Sequence, residues 1–203
     1  MEKVNYQKVQ DEIIKNLKDT PRLLLHSCCG PCSSYCLKAL SEHFLVTLHW
    51  FNPNIYPLEE YQKRLDTQRQ LLRKMQTKNP VELLCDEYLT DEFYLAVKGL
   101  ENEREGGARC EKCFIQRLEK TAQMAKEQGF DFFTTTLTVS PHKNAPLINQ
   151  IGQELAKKYD VKFLPSDFKK KNGYLQSIEL SQKYELYRQN YCGCVYSLNL
   201  DKQ

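Results

Sequence analysis

The stretch Leu23-Leu24-Leu25-His26-Ser27-Cys28-Cys29-Gly30-Pro31-Cys32-Ser33-Ser34 decides how this chain is read. A short apolar run meets a turn carrying adjacent cysteines, and a segment able to form a helix follows. Gly30 allows a tight backbone at the turn, and Pro31 can open the helix in its first turn. In an open α/β sheet, ligands bind at the carboxyl ends of the strands. A helix N-terminus also favours anions, and thiols placed there shift toward the thiolate, the form that binds metal. The turn is a candidate metal or redox site.

Working outward, the hydrophobic periodicity predicts an alternation of helices and strands. Residues 4 to 18 read as a helix, with Val4, Val9, Ile13, Ile14 and Leu17 at roughly helical spacing. Arg22 to Ser27 is the first strand, Pro31 to about Glu42 a helix, and Phe44 to Phe51 the second strand. Asn52-Pro53-Asn54-Ile55-Tyr56-Pro57 imposes a loop. A charged helix spans Leu58 to about Gln76, with Glu60 and Arg64 as an i,i+4 pair. Val81 to Leu84 is a third strand, and Thr90 to Leu100 a helix. Glu105-Gly106-Gly107-Ala108-Arg109 is a turn that delivers Cys110 and Cys113 to the start of a helix running to about Gln128. Phe132 to Leu137 and Val161 to Leu164 complete the strands, separated by a loop over 138–144 and a helix over 145–158. A last helix covers Tyr174 to Tyr187.

Strands alternating with helices predict an α/β fold, a parallel sheet of about five strands with helices on both faces. At 203 residues the chain is long enough for a single domain spanning 1–203, with residues 1–20 as an N-terminal helix and 188–203 as a tail. No run of about 18 apolar residues predicts a membrane span. The charged, amphipathic N-terminus lacks the apolar core of a signal peptide, so a cytoplasmic location is expected. The net charge of +3 is too small to prove a nucleic-acid partner by itself.

Nine cysteines are many for such a protein. In a reducing compartment that count argues for metal or redox chemistry over structural disulfides. Cys85 stands alone and reads as a small core residue. Cys28, Cys29, Cys110 and Cys113 together offer a four-thiolate set, suited to zinc or to an iron–sulfur cluster. An adjacent Cys-Cys pair does not match the spaced knuckles of zinc sites, whereas a cuboidal cluster presents separate irons to neighbouring sulfurs. The residues favour the cluster and leave zinc and metal-free thiol redox open. Cys29-x-x-Cys32 at a helix start also resembles a redox dithiol, while Cys36, one turn on, faces the core. Cys192-Gly193-Cys194 is different again: a disulfide across one residue would be strained and labile, which suits the exchange of two electrons.

Lys169, Lys170 and Lys171 with Tyr174, together with Lys143, Arg188 and Tyr191, set positive charge beside aromatic rings, a combination that holds phosphates and stacks bases. His142 and Asp167 sit where a general acid would be useful. The first strand ends without a glycine-rich phosphate loop, so nucleotide hydrolysis is not expected.

The segments LLLHSCCGPCSSY, FNPNIYPLEEYQKRL, EGGARCEKCFIQRLEKTA, DFFTTTLTVSPHKN, LPSDFKKKNGYLQSIELS and LYRQNYCGCVYS resemble, in this order from about residue 22 to 197, the cobalamin-independent epoxyqueuosine reductases of the QueH family. The resemblance implies an adenine nucleotide α-hydrolase-like (HUP-type) fold and an oxidoreductase that converts epoxyqueuosine at the tRNA wobble position to queuosine. It implies a [4Fe-4S] cluster on Cys28, Cys29, Cys110 and Cys113, and a redox-active disulfide between Cys192 and Cys194 in a tail packed at the active site. The partners would be tRNA carrying epoxyqueuosine and an electron donor that the sequence does not identify. Asp167 is the first choice for the acid that protonates the departing oxygen, with His142 and Tyr191 next. His142, Lys143, Lys169, Lys170, Lys171, Tyr174, Arg188 and Tyr191 would contact the substrate. An additional iron beside the cluster is left open. Two competing readings are a zinc-containing, non-catalytic tRNA-binding module and a thiol oxidoreductase working through Cys29 and Cys32.

Overall fold

The computed structural model describes residues 4–198. Strands β1 (Arg22–His26), β2 (Leu45–Trp50), β3 (Glu82–Cys85), β4 (Phe132–Thr135) and β5 (Lys162–Phe163) form one parallel sheet in the order β3-β2-β1-β4-β5. The helices are α1 (Tyr6–Lys15), α2 (Gly30–Leu40), α3 (Leu58–Lys74), α4 (Thr90–Ala96), α5 (Ala108–Glu127), α6 (Ala145–Tyr159), α7 (Gly173–Lys183) and α8 (Val195–Leu198).

The central strand explains the two layers around it. Successive side chains of a strand point to opposite faces. Leu23 and Leu25 pack with Tyr35, Leu37 and Leu40 of α2, Leu71 of α3 and the partly buried Leu180 of α7. Leu24 points the other way, onto Phe114 and Leu118 of α5 and Ile148 of α6. All three leucines are fully buried, each worth roughly 1.5–3 kcal/mol of burial free energy. A strand covered on both faces has no room for a polar alternation, hence the unbroken Leu-Leu-Leu.

Several boundaries differ from those expected. β4 stops at Thr135, whose hydroxyl accepts from Leu137 N at 3.1 Å and turns the chain into a 3₁₀ segment, Thr136–Val139. α4 ends at Ala96, four residues before Leu100. α7 ends at Lys183, because Gln70 and Lys74 of α3 donate to the carbonyls just beyond it and Glu185 takes a left-handed conformation. α8 follows the Cys-Gly-Cys segment and was not expected. Cys85 is corrected outright: β3 is a short edge strand, and this thiol is exposed rather than in the core. Cys36 is fully buried, as expected. Of the expected N-terminal helix, residues 1–3 lie outside the described residues, as do residues 199–203 of the tail. Among the described residues no helix is long and apolar enough to cross a membrane.

Candidate metal and redox centre

Strand order places the site. From β1 the chain crosses to β2 on one side, while β4 on its other side leads to β5, so a crevice opens between the carboxyl ends of β1 and β4. Cys28 follows β1 into that crevice, and its sulfur lies 3.8 Å from Thr136 Oγ1, just past β4. The turn is tied down on every side. Ser27 N donates to His49 O at 2.9 Å, and Asn52 Nδ2 donates to Ser27 O at 2.8 Å. Ser27 and Ser33 hydroxyls both donate to Gln68 Oε1 of α3, at 2.8 and 2.7 Å. Gly30 serves close approach: a Cβ there would stand 3.0 Å from the Thr67 carbonyl oxygen, a contact tight enough that α3 would have to give way by a few tenths of an ångström.

The sulfurs of Cys28, Cys29 and Cys32 lie within 4.8 Å of one another. Cys32, whose place was open from the sequence, belongs to this group. Hydrogen bonds from Cys29 and then Cys32 hold the Cys28 thiol well below the ordinary cysteine range. The converse holds for the donors: Cys29 is pushed up to about 12 by its bond to Cys28, and Cys32 is raised well above the usual value. The three sulfurs thus form one hydrogen-bonded group with Cys28 as its acceptor.

Cys110 and Cys113 stand in the first turns of α5, across the crevice. Cys110 packs in the same apolar cluster as Cys28, and Gly106 N donates to its sulfur at 3.2 Å. Cys113 packs instead with Phe93, Val97 and Cys194. Burial raises both thiols, Cys113 to about 11. Of the expected four-cysteine set, Cys28 and Cys29 lie in one sulfur group with Cys32, whereas Cys110 and Cys113 stand outside that group, Cys110 in the apolar cluster that Cys28 joins and Cys113 beside Cys194.

The tail closes over this end. Arg64 of α3, 1% exposed, is paired with Glu60 at 2.6 Å and donates to the carbonyls of Cys192 and Tyr191 at 3.1 and 3.3 Å. Tyr56 N donates to Gly193 O at 2.8 Å, and Tyr191 Oη donates to Tyr56 O at 2.6 Å. Gly193 has φ +117°, and a Cβ there would stand 2.8 Å from an Arg64 guanidinium nitrogen. Cys192 and Cys194 carry unjoined thiols and look in different directions. Lys143 Nζ donates to Cys192 Sγ at 2.9 Å, whereas Cys194 is buried beside Cys113, its thiol donating to Ser197 Oγ at 3.6 Å.

Between the turn and the tail lies a cavity of about 660 Å³, lined among others by Cys28, Cys32, Arg64, Arg117, Lys143 and Cys192. His142, Tyr174, Arg188 and Tyr191 also face it. Lys143 is held between Cys192 and Glu105. Burial works against its charge, yet the Cys192 sulfur and Glu105 outweigh that and raise its pKa above the ordinary lysine value. Burial likewise raises Tyr191, to about 12. Asp167 does not line the cavity: its Oδ1 lies 3.2 Å from Lys169 Nζ. Lys169 also reaches the Lys143 carbonyl at 3.5 Å, Lys170 is exposed, and Lys171 pairs with Asp11 of α1 at 2.7 Å. The lysine run therefore splits, one member stapling α1, and none of the three lines the cavity. Arg64, Gln68 and Arg117 were missed by sequence reasoning. For Arg117 the only available signal was its i,i+4 spacing from Cys113.

The fold and site define a class: a five-stranded parallel α/β protein with a cysteine-rich centre at its topological switch point. Its fold is similar to that of the U34-tRNA thiolase NcsA from Methanococcus maripaludis, solved with its [4Fe-4S] cluster, at a TM-score of 0.53 and 12% identity, covering 96% of this chain and 70% of that one. Residues 23–200 match the family model of epoxyqueuosine reductase QueH, and the chain belongs to that family. It is 44% identical over 204 residues to the epoxyqueuosine reductase QueH of Streptococcus pyogenes serotype M1, covering 98% of this chain and 80% of the relative. The enzyme of that name from Thermotoga maritima is 41% identical over 182 residues, covering 87% of this chain and 90% of the relative.

Proposed function

We propose that this oxidoreductase reduces epoxyqueuosine to queuosine at the wobble position of tRNA, acting in the cytoplasm. Family membership supports the reaction. The observation that carries its placement is the 660 Å³ cavity, where Cys28, Cys32 and Cys192 meet Arg64, Lys143 and Arg188. A cavity of this size suits one extruded nucleoside, and Arg188 at its wall suits a flanking phosphate.

The site residues fit an iron–sulfur cluster by their chemistry. The donors are thiols, with that of Cys28 shifted toward the thiolate, and they lie beside the buried guanidinium of Arg117. Cys28, Cys29, Cys110 and Cys113 would hold a [4Fe-4S] cluster, with Cys32 inside the same sulfur group. Bound there, the cluster supplies single-electron transfer. Converting the epoxide to an alkene breaks both C–O bonds, forms the C=C bond and releases water, consuming two electrons and two protons. Oxidation of the Cys192–Cys194 dithiol to its disulfide releases that number of each, so one dithiol balances one substrate, and an external electron donor restores it. His142, exposed on the cavity wall, is the best placed of the three candidate acids to protonate the departing oxygen. Tyr191 already donates to Tyr56 O, and Asp167 is paired with Lys169 away from the cavity.

The test is turnover of epoxyqueuosine-containing tRNA by anaerobically prepared protein, alongside iron, sulfide and zinc analysis. Roughly four irons and four sulfides, with turnover lost in Cys192→Ser while the visible absorbance stays, is the expected result. Retained turnover in that variant overturns the dithiol role. One observation favours a second reading: three thiols within 4.8 Å can share one zinc ion. About one zinc and no sulfide after anaerobic reconstitution, without turnover, would replace the reductase by a binding module.

A further inference from the structure

Arg117 lies in the middle of α5, 2% exposed, with its guanidinium at the wall of the cavity. A guanidinium cannot lose its proton inside a protein, so its charge has to be met where it stands. Burying an unpaired ion costs several kcal/mol even after relaxation. Of the other enclosed arginines at this end, Arg109, 3% exposed, donates to the carbonyls of Leu100, Glu101 and Glu103, and Arg64, 1% exposed, is paired with Glu60 at 2.6 Å. Arg117 has no such partner: among the described residues no carboxylate lies within 4.0 Å of it.

Its polar contacts are of other kinds. One terminal nitrogen donates to Asn52 Oδ1 at 2.8 Å, and Nε donates to His26 Nε2 at 3.3 Å. Asn52 is uncharged and fixed by its own bond to Ser27 O. His26 is fully buried and accepts from Arg117 at Nε2, so that nitrogen carries no proton. The remaining contact is the sulfur of Cys113 at 3.9 Å, and the Cys28 and Cys192 sulfurs also lie within electrostatic range. Among the described residues, neutral dipoles aim the guanidinium, and the group in contact with it that can carry the balancing charge is a sulfur.

We propose that Arg117 is the internal counter-ion of the sulfur centre, a positioning residue whose fixed charge offsets the negative charge of the cysteine-ligated cluster and stabilises its reduced form. This rests on the iron–sulfur assignment above. Each electron added to a thiolate-ligated cluster adds one negative charge, and a cation fixed in a low-dielectric wall favours that state. Removing the charge therefore lowers the reduction potential.

The experiment compares the anaerobically loaded wild type with Arg117→Gln and Arg117→Lys, measuring iron and sulfide content and the midpoint potential by spectroscopic redox titration. Gln can still reach Asn52 but carries no charge; Lys keeps the charge and loses the fork. The expected result is a fall of at least tenfold in the reduction equilibrium constant of Arg117→Gln, 59 mV for a one-electron couple, with Arg117→Lys close to wild type. Loss of the cluster from Arg117→Gln but not from Arg117→Lys supports the assignment equally. Equal potentials in all three proteins overturn it, as does failure of both variants to hold a cluster, which marks a purely structural arginine. A wild type without iron and sulfide removes the cluster assignment itself, an outcome distinct from a cluster whose potential ignores the charge.

Discussion

The ammonium of Lys143 lies 2.9 Å from the sulfur of Cys192, so this lysine on the cavity wall already has a thiol partner. A cation fixed against a reacting sulfur stabilises the negative charge that develops there during reaction. Lys143→Met should lower turnover on the order of 10²-fold, the scale of losing one electrostatic contact to a reacting group, while leaving tRNA binding close to wild type. Parallel measurements of turnover and filter binding check this. A binding defect equal to the turnover defect would return Lys143 to the phosphate-contacting role.

Gly193 combines a left-handed φ of +117° with a Cβ position 2.8 Å from Arg64. Gly193→Ala should cost about 1–3 kcal/mol through backbone strain alone and displace Cys192 from Lys143. Thermal unfolding and turnover report the two effects, and wild-type values of both would show that the tail tolerates another path.

Arg64→Met removes the buried cation that pairs with Glu60 and holds the carbonyls of Tyr191 and Cys192. Breaking a buried pair from one side costs about 3–5 kcal/mol. Glu60 also accepts from Tyr187 Oη at 3.0 Å, which lowers the expectation to the bottom of that range. Limited proteolysis should cut near residue 190 far faster in the variant, whereas unchanged cleavage would mean that the contacts of Tyr56 alone secure the tail.

In the metal-free protein, Cys28 owes its depressed pKa to hydrogen bonds from Cys29 and Cys32. Cys32→Ala removes one of those donors and should slow alkylation of Cys28 at neutral pH several-fold, read by peptide mass spectrometry. Cys36→Ala, which changes a buried thiol outside that sulfur group, should leave the rate alone.

Asp86 provides a pH test away from the sulfurs. Burial raises its pKa, but the hydrogen bond from His49 at 3.2 Å outweighs this and the carboxyl titrates below its usual value. A depressed carboxylate stabilises the fold above its unfolded pKa of about 3.9, and that stability is lost as pH falls through the folded value. The melting-temperature gap between wild type and Asp86→Asn should be constant near neutrality and close below about pH 4. A gap that persists in acid would show that the aspartate acts through shape and not charge.

Much of this fold could be read from short-range pattern. Leu23-Leu24-Leu25 is unbroken because β1 is covered on both faces, and the cysteine turn had to fall at the carboxyl edge once the strand was placed. Glu60 and Arg64 were legible as an i,i+4 pair, but their burial was not, since a charged pair at that spacing usually faces water. Arg117 and Gln68 are hidden for the same reason: on polar helices, a residue turned inward to serve a loop looks like its solvated neighbours. Cys85 failed because burial of a strand residue depends on sheet order, which places β3 at an edge. The split of Lys169, Lys170 and Lys171 depends on α1 and Asp11, more than 150 residues away in the chain.

Residues 188–192 along the cavity wall and the strands of the sheet are separate stretches of chain. The last strand ends at Phe163, so no strand depends on the segment that walls the cavity. A change confined to Arg188 to Cys192 can therefore alter access to Cys28 and Cys32 without touching the scaffold that positions them.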